Sequence, residues 1–281
     1  MKKHITYILL FLNLNAFSQD SESANEITSA LTILNNARIA AGLDTVSISV
    51  TFSRGCYSHA KYLVTNKNNP LTNGMNAHKE FPELQGYSKD GEIAGKSAVI
   101  HFVKLSQAVD GWIQTFYHRV PLLQPNLKEI GIASYEIDGY TVSLLDCISG
   151  TKGESSKDVV FYPNENQSNV PTTMGLEIPD PVGKEGKFGF PITIYFTRWQ
   201  KVVNVDFKLT DNNGKEIACY VSSPEKPATY FSQWNSICAI AMSPLLGDTK
   251  YFVTVTCIVN GQAYKKTYNF QTTKTLNRDY P

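Results

Sequence analysis

The hydrophobic pattern changes period once along the chain, and that change divides it. Up to about residue 147 apolar residues recur at spacings of three and four, with two alternating runs at the end. From Gly175 onward they alternate in short runs. A helix presents one face every 3.6 residues and a strand every two, so the two halves ask for different architectures. Residues 149–173 lie between them and are rich in Gly, Ser, Asn and Pro. They read as a linker, and a chain of 281 residues has room for two domains.

In the first half, residues 25–41 predict a helix with Ile27, Leu31, Leu34, Arg38 and Ala41 on one stripe and Gly42 as its stop. A second helix is predicted over 49–66, capped by Ser47 or Ser49. Phe52, Cys56, His59, Ala60 and Leu63 share its face. Residues 68–91 are polar and rich in turn formers. Ser106 reads as the cap of a third helix carrying Val109, Trp112, Ile113 and Phe116. Strands over 130–136 and 140–147 flank Asp138-Gly139, a hairpin signal. Helices first and strands last suit an α+β or layered α-β-α domain over residues 24–148.

In the second half, strands are expected at 175–178, 192–197, 203–209, 216–221, 237–242, 251–258 and 263–270. Asn260-Gly261 is the most specific turn, because both positions of that tight hairpin need positive φ. Seven short strands without a helix predict an immunoglobulin-like β-sandwich over 174–274.

Residues 1–18 read as an export signal, with Lys2, Lys3 and His4, an apolar run over 5–16, and Ala16 and Ser18 before a cleavage site. The expected location is periplasmic or extracellular, with no later stretch able to span a bilayer. A net charge of +1 offers no basic field for nucleic acid. Export gives Cys56, Cys147, Cys219, Cys238 and Cys257 an oxidising compartment. They read either as two disulfides, one joining Cys56 to Cys147 and one among the last three, or as small buried apolar residues.

Four histidines fall in the first domain: His59, His78, His101 and His118. Short motifs accompany them in order. His59-Ala60 lies in the second helix, His78 in the following loop, and Gly91-Glu92 after that. Trp112 leads through six residues to His118-Arg119, then Leu122-Leu123 and Ile130-Gly131-Ile132. This series over residues 27–147 resembles the CAP superfamily of cysteine-rich secretory, antigen 5 and pathogenesis-related proteins. The resemblance implies an α-β-α sandwich whose central cleft holds two histidines and two acids, able to bind a divalent metal such as zinc. By position, His78 and His118 match the metal-binding histidines, and Glu92 matches the first acid, a candidate catalytic base. The second acid's position is Thr115 here, and the residue after Gly-Glu is Ile93.

Blander readings stand beside these. His59 reads as a packing residue, His101 as structural and Trp112 as core. Arg119 pairs with an acid of the fold or meets a ligand. Two functions compete. One is a secreted binding or interaction module for a small-molecule, lipid, cell-wall or protein ligand. The other is a metal-assisted hydrolase of peptides or envelope polymers using His78, His118 and Glu92.

Overall fold

A computed structural model describes residues 5–154, 157–197 and 200–274, with side chains described from residue 23 onward. The expected export signal and its cleavage after Ser18 lie outside the residues described at side-chain level. Helix α1 spans Ile5–Ala40, and Gly42 at φ +69° ends it. Strand β1 is Ser47–Ile48, followed by α2 (Val50–Thr65), α3 (Lys89–Ser97), β2 (Ala98–His101), α4 (Leu105–Ile113) and α5 (Arg119–Leu122). A hairpin of β3 (Glu129–Ile137) and β4 (Tyr140–Asp146) completes this part, with Asp138 and Gly139 both at positive φ.

The four strands form one sheet in the order β1-β3-β4-β2, with β1 parallel to β3 and the other pairs antiparallel. Both of its faces are covered. Ile130, Ile132 and Leu145 join the cluster that holds Leu34 of α1 and Val109 and Trp112 of α4. Ala133, Val142 and Leu144 join Cys56, Ala60 and Leu63 of α2. The small residues on this second face let α2 come close. A Cβ on Gly131 would lie 2.6 Å from the Phe52 carbonyl carbon. These layers are helix, sheet, helix, as the sequence predicts.

Local details differ from the sequence reading. α4 begins at Leu105, and no side chain of its own caps it. Instead the Ser106 N–H donates to Glu26 Oε2 of α1 at 3.1 Å. α3 and β2 were not expected, because Lys89–Ser97 has two glycines and few apolar residues to show a helical face. All five cysteines are free thiols, so the Cys56–Cys147 bridge is not formed. Burial pushes the Cys56 thiol up to about 12.

The second part has two sheets. One runs β10-β11-β7-β5, from Cys219–Ser222, Ser236–Ala241, Ile192–Phe196 and Val159–Tyr162. The other runs β6-β13-β12-β8-β9, from Gln167–Val170, Gln262–Thr272, Lys250–Val259, Val202–Asp211 and Glu216–Ile217. Ile194, Phe196 and Ile237 of the first sheet meet Val202, Val255 and Cys257 of the second in one apolar layer. Asn260 and Gly261 make the expected turn at φ 50° and 83°. Two expectations change. Residues 149–173, read as a linker, contain β5 and β6, which are too short and too interrupted by Asn and Pro to stand out. Residues 175–178, read as a strand, join neither sheet.

The two parts share a core. A single buried cluster runs from Leu34 and Trp112 through Tyr162 and Phe190 to Val253 and Phe270. Arg119, fully buried, sits where they meet. Its Nε donates to Ile113 O at 2.6 Å and its Nη1 to Pro191 O at 2.6 Å. The guanidinium lies 4.9 Å from the Tyr162 ring centroid and 4.4 Å from that of Phe190. Arg119 therefore braces the two parts through carbonyls and ring faces.

Candidate functional site

The chain after α2 turns back on itself, and a buried pair fixes that return. His59 and Glu80 both have side chains with no exposed surface. His59 Nε2 donates to Ala77 O at 2.7 Å, and its Nδ1 is hydrogen-bonded to Glu80 Oε1 at 2.9 Å. Glu80 Oε2 accepts from Ser88 N–H at 2.7 Å. The Ser88 hydroxyl in turn accepts from Gly91 N–H and caps α3. This explains the glycine of the Gly-Glu pair. A Cβ on Gly91 would lie 2.1 Å from Glu80 Oε1. His59 is a packing and anchoring residue, as read from the sequence, and its network sets the short helix Gly74–His78 beside α3.

That placement presents His78. Its Nδ1 donates to Gly95 O on α3 at 2.9 Å, because a carbonyl accepts only. In the neutral ring the lone pair is then on Nε2. Burial lowers the His78 pKa, the Gly95 bond partly offsets this, and the charges of His118 and His59 lower it further. The ring is therefore neutral near pH 7.

His118 follows the α4 turn, and its side chain is 18% exposed. Two oxygens face its Nδ1. Thr115 Oγ1 lies 3.4 Å away and has already donated its own proton to Trp112 O. Glu177 Oε2 lies 3.3 Å away. Both are acceptors toward the ring, so in the neutral tautomer the proton belongs on Nδ1 and the lone pair on Nε2. His78 and His118 thus have the same arrangement: Nδ1–H committed to the protein and Nε2 left for whatever enters.

The third sequence candidate does not join them. Glu92 lies on the first turn of α3, where Lys89 Nζ at 2.9 Å, Lys96 Nζ and the Tyr87 hydroxyl surround its carboxylate. These hydrogen bonds, with Lys96 first, hold its pKa at about 2. A carboxylate held that low is a weak proton acceptor. His101 is half-buried, and burial together with the charge of His118 lowers its pKa.

A family model described as the cysteine-rich secretory protein family, CAP, matches residues 31–146. Residues 31–146 are a CAP domain. Comparison with curated proteins returns no significant match. Membership carries the coarse expectation of an extracellular interaction or ligand-binding module.

The CAP domain's donor set does not fit a resident zinc ion. Among the described residues, no three His, Cys, Asp or Glu side chains converge to hold a metal. Two imidazoles alone fall short of the three protein ligands usual at catalytic zinc. Elsewhere a cavity of about 620 Å³ opens between the CAP domain and the second part, lined in part by Asn126, Ile148, Tyr195 and Trp234, and it contains neither His78 nor His118.

Sequence reasoning missed Glu177. It is 61 residues from Phe116, whose N–H it accepts, so no local pattern reports the contact. A signal is visible afterwards. Leu176 and Ile178 are 81% and 68% exposed, whereas the acid between them is buried. That inverts the usual order and marks the segment as held for a reason other than packing.

Proposed function

We propose that the protein is exported and works outside the cytoplasmic membrane as a binding or interaction module, receiving its ligand at the His78–His118 cleft of the CAP domain. The observation that carries this reading is the paired commitment of both Nδ1 atoms, which leaves two Nε2 edges as hydrogen-bond acceptors for a ligand. The second part, which we read as an immunoglobulin-like sandwich over 174–274, carries no catalytic constellation in its sequence and serves as a spacer or adhesive element. Among the described residues no helix is long and apolar enough to cross a membrane. The ligand is a small molecule, a lipid, a cell-wall fragment or a protein.

Metal-assisted hydrolysis ranks below this. Glu92 is drawn to two lysines, and two imidazoles offer a divalent ion only weak attachment.

The test is a thermal-shift screen of the full chain against lipid and glycan panels, repeated with His78→Ala and His118→Ala. A ligand at about 100 times its Kd adds about 2.7 kcal/mol to the stability of the form that binds it. The reading expects that shift in the parent protein and its loss in both variants. A hit whose shift persists undiminished in both variants places the binding surface elsewhere and overturns the reading.

A further inference from the structure

The segment that carries Glu177 leaves the second domain's sheets and docks on the CAP domain. Gly175 N–H donates to Gln114 O at 3.1 Å. Two residues on, Glu177 Oε1 accepts from Phe116 N–H at 2.7 Å and Oε2 from Tyr117 N–H at 2.8 Å. The Glu177 side chain has no exposed surface. A Cβ on Gly175 would stand 3.3 Å from Thr115 Cγ2, so the approach suits glycine. Nearby, the Tyr117 hydroxyl and Thr229 Oγ1 are 2.8 Å apart, a second polar tie between the same two parts.

Burying a carboxylate is costly unless hydrogen bonds and charges meet it. Two backbone N–H groups meet part of this one. The remaining side of Oε2 faces His118 Nδ1 at 3.3 Å. Packing alone gives no reason for a carboxylate at this point, because the chain exposes Leu176 and Ile178 to place it there.

We propose that Glu177 is the positioning residue of His118: supplied by the second domain, it holds the His118 proton on Nδ1 and leaves Nε2 for a ligand. A carboxylate facing one imidazole nitrogen favours, by its charge, the tautomer that carries its proton there. Thr115 contributes only a neutral oxygen at 3.4 Å, so the charge that selects the tautomer comes from Glu177. The cleft is then a two-domain site, and the sandwich is part of its chemistry as well as a spacer. The functional value of this arrangement rests on the reading that the cleft binds the ligand.

The experiment is nitrogen NMR of the full-length protein, exported form or precursor, labelled with 15N only in histidine. It is run at a pH where imidazole is neutral, and His118 is assigned by its absence in His118→Ala. Two-bond correlations from the ring carbons' protons show which nitrogen carries the hydrogen. The parent protein should show His118 protonated on Nδ1. Glu177→Gln should shift it toward the Nε2–H form, while His78, held by Gly95 O, keeps its Nδ1–H. A His118 already protonated on Nε2 in the parent overturns the proposal, and that result stands even if Glu177→Gln does not fold. An unchanged His118 in a folded Glu177→Gln protein, shown by native near-ultraviolet circular dichroism, also overturns it. Because no ligand is needed, this failure is distinct from failure of the binding screen.

Discussion

His59 and Glu80 place two ionisable groups where no water reaches them, and they satisfy each other, Ala77 O and Ser88 N–H. Removing one partner leaves the other buried without a counterpart. His59→Ala should cost about 3–5 kcal/mol, read from urea unfolding, with Glu80→Gln on the same background recovering part of the loss. A loss below about 1 kcal/mol would mean that water already reaches the pair. The same residues show what a sequence makes legible. His59 lies on the apolar stripe of α2, so its burial follows from spacing. His78 and His118 were matched by motif order, but their equivalence in the structure lies in Nδ1 bonds to Gly95 O and toward Glu177, which depend on distant chain.

At the scale of elements, periodicity showed α2, the β3–β4 hairpin and the long strands of the second domain, because each keeps one face apolar over several repeats. It missed α3, whose buried face is Gly91, Ala94 and Gly95. Those residues are small because His59 and Glu80 occupy the space beside them. A Cβ on Gly95 would lie 2.5 Å from His59 Cε1. This gives a prediction of sign. On an open helix, Gly→Ala stabilises by about 1 kcal/mol. Here Gly95→Ala should instead destabilise by about 1–3 kcal/mol, as overpacking does, and disturb the carbonyl that holds His78. Chemical denaturation decides it, and a stabilised Gly95→Ala protein would show that α3 is not packed on the ring. Strands β5 and β6 were missed for another reason: each is four residues long and set among turn formers.

At the scale of the molecule, the CAP domain and the sandwich share one buried cluster and a buried arginine, so they should unfold together. Differential scanning calorimetry is expected to show one transition. Arg119→Met removes the donors to Ile113 O and Pro191 O, at about 1–3 kcal/mol for each carbonyl left unpaired. The transition should fall in temperature or split in two. Two separate transitions in the parent protein would mean that the shared cluster contributes little. The switch from helical to alternating pattern falls between the helix-covered sheet and the two-sheet part. The joint between them was illegible because its parts, Arg119, Tyr162, Glu177 and Phe190, are scattered through residues that read as motif, loop and linker.

The central claim is that His78 and His118 keep their Nδ1 edges inside the protein and offer Nε2 to a ligand, while His59 is sealed. Brief treatment of the folded chain with diethyl pyrocarbonate, followed by mass spectrometry, reads this directly, since the reagent acylates accessible neutral imidazole nitrogen. The account predicts acylation at His78 and His118 and none at His59. A folded protein in which His118 and His78 are spared, or in which His59 reacts as fast as they do, would contradict it.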